Sequence, residues 1–361
     1  MENEAGEAGI KIPDWTTDAF LGTLYERTAA RRQENRRNAG KPEQQAWLRS
    51  RLKAALGGFP ERDHPLRARK LERTEYKDFI LERVVYTTME SVHVPVMVQI
   101  PKKGQGPWPA VLACHGHGSG QRDAAGLDEL GRELEEPGIH NRFAVQLVRK
   151  GMLVVIPEIM GFGVRRMAEE LKANPHYSSC GTLASQLLMY GRTLAGMRVF
   201  EAMRALDYMA SRPDVDSSRM GVFGFSGGGL IAAFTAGLDE RVQAAVLCGW
   251  ANTFRGSTLA MHHCIDNYLP GLLLDTEQPE LAGLMAPRAL FVESGDQDPI
   301  FPVEHTRQAI AWLEAHYSAW DAPGQFAWDI HPGGHEINGR KSAEWLLRKL
   351  GVGQVPGLEA E

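Results

Sequence analysis

The stretch RMGVFGFSGGG at 219–229 decides the fold of this 361-residue chain. It starts as an apolar β-strand, passes through GFSGG at 224–228, and continues into the buried-helix pattern LIAAFTAGL. A Gly-x-Ser-x-Gly pentapeptide between a strand and a helix is typical of a nucleophile elbow, a strained turn that holds the serine above the sheet. Gly224 and Gly228 fit because a Cβ has no room where strand and helix cross. The alternative is an ordinary glycine-rich turn; a dinucleotide site is disfavoured, since Ser226 breaks the Gly-x-Gly-x-x-Gly spacing.

Similar apolar runs occur on both sides of this turn. Strands that are apolar throughout are typical of a parallel sheet covered by helices on both faces. Helical patterns separate the runs, which predicts a doubly wound α/β fold with a mostly parallel central sheet and an antiparallel start. The predicted strands lie at 79–88, 92–100, 110–116, 151–157, 219–226, 242–250, 288–296 and 326–331, and the predicted helices at 141–150, 184–210, 303–316 and 336–350.

Two segments do not fit the alternation of strands and helices. Residues 1–77 are predicted to form a helical N-terminal extension, with helices over 13–58 and a charged, proline-containing linker over 60–77. Residues 78–361 then form the α/β domain, in which 250–285 interrupts the alternation and is interpreted as a cap or lid. Two roles stay open for the extension: it covers the site, or it forms an interface in a homo-oligomer.

Composition excludes several classes of protein. The chain carries 40 Lys and Arg against 45 Asp and Glu, so no long-range attraction to nucleic acid or to an anionic membrane is expected. Its 4 cysteines are far apart in sequence, which excludes a disulfide scaffold and indicates reduced thiols. The acidic N-terminus lacks the features of a signal peptide, and no apolar run is long enough to span a bilayer. We therefore expect a cytoplasmic protein whose function lies in a local site.

A serine nucleophile requires a base and an acid that orients the base. After an elbow of this kind the acid and the histidine follow in that order, each behind a later strand. Asp298 and His335 satisfy this order. Asp296 is the competing acid, but it follows its strand directly, where an aspartate is expected to form a turn. His331 is the competing histidine; it still lies within the predicted strand and is therefore expected to be structural.

The reaction also requires backbone N–H groups that stabilise the oxyanion, each contributing about 3 kcal/mol. One is expected from Gly227, and the second from His117 in HGHG at 115–118, which is similar to the HGGG loop of esterases. Alternatively, the histidines of this loop bind a metal together with Cys114 or with His262-His263-Cys264. No cysteine or carboxylate lies at ligand spacing in either place, so the sequence predicts no metal site.

Taken together, these residues resemble the α/β-hydrolase superfamily, and within it the bacterial carboxylesterases similar to acetyl xylan esterases and dienelactone hydrolases. The resemblance extends from about Phe79 to Leu350. Besides the elbow and HGHG, its marks are PEIMGFGVRR at 157–166, LDERV at 238–242, APRALFVESGDQDPIFP at 286–302 and HPGGHE at 331–336. The resemblance implies Ser226 as nucleophile, Asp298 as acid, His335 as base, N–H donors at His117 and Gly227, and no cofactor. The chain departs from dienelactone hydrolases in having a serine where they have a cysteine.

We therefore expect a serine carboxylesterase that cleaves a small-molecule ester, an acetyl ester of a sugar-like or small alcohol being favoured. One alternative is a peptidase of the prolyl-oligopeptidase type, whose N-terminal propeller is too large for residues 1–77. Another is a non-catalytic binding protein on the same fold, which the complete Ser–Asp–His order disfavours. Arg165, Arg166 and Glu158 beside the site either contact substrate or, as we favour, form buried ion pairs with Glu201 or Asp207.

Overall fold

A nine-stranded sheet organises the chain in the computed structural model, which describes residues 17–36, 41–173 and 177–351. The strands are β1 (Arg69–Glu75), β2 (Phe79–Met89), β3 (Val92–Pro101), β4 (Trp108–Cys114), β5 (Leu153–Pro157), β6 (Val215–Phe225), β7 (Val242–Cys248), β8 (Ala289–Gly295) and β9 (Phe326–His331). Their order across the sheet is β1-β2-β3-β5-β4-β6-β7-β8-β9. The pairs from β1 to β5 are antiparallel, and those from β5 through β4 to β9 are parallel. The predicted α/β fold is confirmed.

Helices cover both faces of the sheet. They are α1 (Asp18–Arg36), α2 (Lys41–Ala55), α3 (Gln121–Ala125), α4 (Phe143–Arg149), α5 (Ala168–Ala173), α6 (Cys180–Met189), α7 (Leu194–Ser211), α8 (Gly227–Leu238), α9 (Gln278–Gly283), α10 (Val303–Ala319) and α11 (Ser342–Lys349). No helix within the described ranges is long and apolar enough to cross a membrane.

The central strands bury side chains on both faces, which explains their wholly apolar sequences. Successive residues of a strand point to opposite faces. Leu112 of β4 accordingly lies in one apolar core with residues of α7, α8 and α10, whereas Val111 lies in a second core with residues of α4 and α11. Val154 and Val155 of β5 divide between the two cores in the same way. Most positions on both faces of these strands are therefore apolar.

The structure corrects two of the predicted segments. The linker predicted over 60–77 contains β1, an exposed and wholly polar edge strand except for Leu71, so no apolar pattern could reveal it. The helix predicted over 184–210 is two helices, α6 and α7, which separate at Gly191 with a φ of +67°. The helical stretch over 13–58 contains α1 and α2. Residues 1–16, 37–40, 174–176 and 352–361 of the predicted domains lie outside the described residues.

The N-terminal helices pack on different parts of the α/β domain. α1 contacts the segment 250–285, because the Tyr25 hydroxyl donates to the Glu277 carboxylate at 3.0 Å and Arg32 donates to the Leu273 carbonyl at 2.6 Å. α2 contributes Leu52, which is fully buried, to the main apolar core. The first helix therefore supports the segment that was interpreted as a cap.

Candidate active site

Ser226 sits in a strained turn between β6 and α8. Its backbone has φ +55° and ψ −121°, a conformation that residues with a Cβ rarely adopt. The turn is closely packed: a Cβ on Gly224 would lie 2.2 Å from the Gly228 carbonyl oxygen, and one on Gly228 would lie 2.1 Å from the Cys114 carbonyl oxygen. The Ser226 N–H donates to the Cys248 carbonyl at 2.9 Å. These contacts hold the serine above the ends of β4, β6 and β7, in the geometry expected of an elbow.

His335 and Asp298 are brought together at the same edge of the sheet. The distance from His335 Nδ1 to Asp298 Oδ2 is 2.8 Å. The other carboxylate oxygen, Oδ1, accepts the N–H groups of Ile300 and Phe301 at 2.8 and 3.0 Å. Asp298 is only 4% exposed, so its carboxylate is held rigidly by these donors. A carboxylate in this position fixes both the orientation and the tautomer of the imidazole.

The two competing residues lie elsewhere. Asp296 accepts the Gly333 N–H at 3.1 Å and thereby closes the turn before His335, as expected of a turn-forming aspartate. His331 is fully buried at the end of β9, where its carbonyl accepts the Asp296 N–H. Neither contacts the ring of His335 through a hydrogen bond among the residues described.

Gly227 and His117 lie next to each other beside the serine. Gly227 is the first residue of α8, so its N–H has no acceptor within the helix and points, with the positive end of the helix dipole, toward the turn. The imidazole Nδ1 of His117 is 3.4 Å from the position that a Cβ of Gly227 would occupy. The two residues predicted to supply the oxyanion donors are therefore adjacent.

Two further histidines anchor the loop that carries His117. His115 Nδ1 lies 2.8 Å from the Gly116 carbonyl oxygen, and its Nε2 accepts the Ile159 N–H at 3.2 Å. His140 accepts the Gly116 N–H through its Nε2 at 3.0 Å. Burial lowers the pKa of His140 to about 4, which keeps this nitrogen unprotonated and able to accept. Sequence reasoning missed His140, because it comes 24 residues after Gly116 in a segment without a motif.

Acid is expected to destabilise the fold through His140. Its pKa is about 4 in the folded chain and 6.5 ordinarily, so its contribution is complete above pH 6.5 and is lost as the pH falls toward 4. We expect the free energy of unfolding of the wild type, measured in urea, to fall between pH 7.5 and pH 5 by about 1–2 kcal/mol more than that of His140→Gln. Glutamine retains a side-chain acceptor without titrating. The exposed His262→Gln serves as control, and parallel pH curves for wild type and His140→Gln would contradict the prediction.

A cavity of about 290 Å³ opens over these residues. Its floor is formed by Ser226 and Gly227, and its walls by apolar and histidine side chains. The lining residues from other parts of the chain are His117, Ile139, Phe225, His262, His263, Cys264, Asn267, Ile300, Phe301 and His335. The segment 250–285 thus supplies one wall. Among the described residues no hydrogen bond joins the Ser226 hydroxyl to His335; hydrogen bonds between catalytic groups are often long or absent until substrate binds.

Glu293 holds the segment that follows His335. Its buried carboxylate at the end of β8 accepts the Asn338 N–H at 2.9 Å, the Gly339 N–H at 3.1 Å and the Ser342 hydroxyl at 2.5 Å. The Gly249 N–H also donates to its carbonyl at 2.9 Å. Sequence reasoning missed this residue, because the N–H groups that it accepts come 45 and 46 residues later in the chain.

Of the buried ion pairs that the sequence favoured near the site, the structure shows the one between Arg165 and Glu201. Arg166 donates to the Gly163 and Tyr177 carbonyls. Arg165 makes a bidentate pair with Glu201 at 2.6 and 2.7 Å, and both side chains are largely buried. Glu158 accepts the Gln121 N–H at 2.9 Å and lies 3.4 Å from His115 Nε2. These groups are occupied by structural contacts and do not line the cavity.

Three groups that could hold a soft metal ion also meet at this site. They are His117, Cys180 and Cys264, whose ligand atoms all lie within 4.8 Å of one another. The sequence predicts no metal site, because these three residues are far apart along the chain. The structure brings their side chains together from three separate segments.

The chain is similar to known proteins both in sequence and in structure. The dienelactone hydrolase family pattern matches residues 133–319. The chain is 31% identical over 283 residues to YtaP of Bacillus subtilis, provisionally named a hydrolase, with 77% of this chain and 89% of that protein covered. Among the solved structures that share its fold are the following two. One is a provisionally assigned acetyl xylan esterase of Bacteroides fragilis, with a TM-score of 0.69, 18% identity and coverage of 91% and 84% of the two chains. The other is a glucuronoyl esterase of Solibacter usitatus, with a TM-score of 0.62, 16% identity and coverage of 84% and 90%.

The solved structures are too distant in sequence to show more than the fold, which is that of the α/β-hydrolases. The family pattern and the curated relative add the class of chemistry. They also agree with the resemblance inferred from the motifs. On this evidence the chain is a hydrolytic enzyme of the α/β-hydrolase fold and belongs to the dienelactone hydrolase family.

Proposed function

We propose that this protein is a serine carboxylesterase that cleaves short-chain esters through an acyl-enzyme on Ser226. The observation that carries the proposal is the 2.8 Å contact between His335 and Asp298 beside a serine held at a strained elbow. A lone histidine in a cavity is usually structural. Here it is oriented by a buried carboxylate and shares the cavity with the serine, an arrangement suited to nucleophilic catalysis.

The reaction follows from these positions. Ser226 Oγ attacks the ester carbonyl while His335 Nε2 takes its proton, and Asp298 stabilises the imidazolium that forms. The N–H groups of Gly227 and His117 stabilise the developing oxyanion, assisted by the positive end of α8. His335 then returns the proton to the leaving alkoxide, and the alcohol departs. Water attacks the acyl-enzyme with His335 again as base, which releases the acid and restores the serine.

Two features support a short acyl group and a polar alcohol. The cavity is small, and Ile139, Ile300 and Phe301 fill its apolar side. His262 and Asn267 from the segment 250–285 add polar side chains to the lining, suited to an alcohol that carries hydroxyls. One structural neighbour is provisionally named an acetyl xylan esterase, which denotes cleavage of acetyl groups from a sugar polymer, whereas the glucuronoyl esterase is named for an ester whose acyl part is the sugar. We favour an acetyl ester of a sugar-like alcohol as substrate.

A panel of p-nitrophenyl esters from acetate to octanoate tests this proposal. We expect kcat/KM to be highest for acetate or propionate and to fall about 100-fold or more for octanoate, because a cavity of about 290 Å³ bordered by bulky side chains leaves little room for a long chain. Acetylated xylose, compared with ethyl acetate, tests the polar wall. A preference for octanoate would contradict the short-acyl proposal. Cleavage of a prolyl p-nitroanilide without ester hydrolysis would favour the peptidase alternative.

A further inference from the structure

The cluster of His117, Cys180 and Cys264 lies at one wall of the cavity. His117 is exposed, Cys264 is half-buried, and both line the cavity, whereas Cys180 is buried behind them at the first position of α6. The reaction proposed above uses the backbone of His117 and neither cysteine. Two thiols and an imidazole ring therefore meet beside the serine without a role in ester cleavage.

Arg198 holds this cluster in place. Its Nη2 lies 3.1 Å from Cys180 Sγ, and its Nε donates to the Met160 carbonyl at 3.0 Å. Its Nη1 pairs with Asp266, two residues beyond Cys264, and both side chains are buried. The one guanidinium thus connects α6 with the segment that carries Cys264. Because Asp266 neutralises its charge, the cluster does not face an uncompensated cation.

The donor set selects a particular class of ion. Two cysteine sulfurs and one imidazole nitrogen favour thiophilic ions such as Zn²⁺, whereas Mg²⁺ and Ca²⁺ prefer oxygen ligands. In a tetrahedral Zn²⁺ site with Zn–S bonds of about 2.3 Å, the two sulfurs lie about 3.8 Å apart. The ligand atoms here lie within 4.8 Å of one another. Side-chain rotations that move these atoms by about 1 Å therefore bring them to the spacing of a tetrahedral Zn²⁺ site.

We propose that His117, Cys180 and Cys264 form a binding site for one thiophilic divalent cation of the Zn²⁺ class. Water from the cavity completes the coordination, since His117 and Cys264 both face it. The expected consequence for activity rests on the proposed esterase function. An ion bound to the His117 ring restrains the loop that supplies an oxyanion donor and occupies space beside Ser226, so it inhibits hydrolysis reversibly.

Co²⁺ titration of the reduced full-length protein tests the site without measuring activity. We expect one equivalent of Co²⁺ per chain to produce thiolate-to-Co²⁺ absorption in the near ultraviolet, and Zn²⁺ to displace it. The band is expected to disappear in Cys180→Ser and in Cys264→Ser, and to persist in His262→Ala, which removes a histidine of the same cavity outside the cluster. Cys264 is half-buried, so its variant tests the site even if Cys180→Ser fails to fold.

Hydrolysis of p-nitrophenyl acetate in the presence of Zn²⁺ then tests the consequence. We expect EDTA to reverse the inhibition, and Cys264→Ser to raise the Zn²⁺ concentration for half-inhibition about 100-fold, each protein being compared with its own metal-free rate. Absence of the Co²⁺ band in the wild type, or its persistence in both cysteine variants, would overturn the metal site. A Co²⁺ band in a protein that hydrolyses no ester would leave the site standing and refute the esterase function.

Discussion

Ser226→Ala is expected to lower kcat for p-nitrophenyl acetate by about 10⁴- to 10⁶-fold, to a rate supported only by the oxyanion donors and by binding. The serine is the only group at the elbow that can form the acyl-enzyme in the proposed reaction. Its removal leaves Gly227, His117 and the Asp298–His335 pair in place, so substrate binding is expected to change little. Steady-state kinetics with burst-phase analysis measures both effects, because the variant loses the acyl-enzyme burst as well as turnover.

Ser226→Gly separates catalysis from backbone strain. Alanine retains the unfavourable φ of +55°, whereas glycine adopts it without a steric penalty. We expect Ser226→Gly to be as inactive as Ser226→Ala but more stable by about 1 kcal/mol in urea unfolding. Activity retained in both variants would show that the nucleophile lies elsewhere. Equal stability of the two variants would show that the turn is not strained.

Asp298→Asn is expected to lower kcat by about 10⁴-fold with little change in KM. The carboxylate accepts from Nδ1 of His335 and thereby leaves Nε2 free to take the serine proton. An asparagine amide in the same place favours the opposite tautomer and cannot stabilise the imidazolium. Its carbonyl oxygen still accepts from Ile300 and Phe301, so the loop retains its shape. Measurement of kcat and KM with p-nitrophenyl acetate, together with the thermal midpoint, distinguishes this effect from unfolding.

Asp296→Asn is the matched control for this substitution. It makes the same chemical change two residues away, and the new amide still offers an oxygen to the Gly333 N–H. We expect kcat to remain close to that of the wild type. If the two variants lose activity equally, the assignment of Asp298 as the acid is wrong.

The strands that could be predicted from the sequence are those whose burial requires a run of apolar residues. β4 and β5 are buried on both faces, so their apolar runs predict strands directly. β9 was predicted with the same bounds, 326–331, as the structure has. β1 could not be predicted, because an exposed edge strand held by pairs such as Lys70 with Glu82 needs no apolar side chains.

Some residues of the candidate site could also be predicted from the sequence, and others could not. Ser226, Asp298 and His335 could be proposed because each follows a predictable strand, and parallel strands end at a common edge. His140 and Cys180 could not, since their roles depend on contacts across 18 residues or more with no local signal. The cavity wall formed by 250–285 was equally out of reach, because three-dimensional packing rather than periodicity shapes that segment.

α1 packs on residues that are synthesised much later than α1 itself. Tyr25 and Glu277 are separated by 252 residues, and Arg32 and Leu273 by 241. The ribosome must therefore translate most of the protein before α1 meets its partners, so that a helix made early becomes one of the last to dock. Until then Arg32, which is only 3% exposed in the folded chain, remains in contact with solvent.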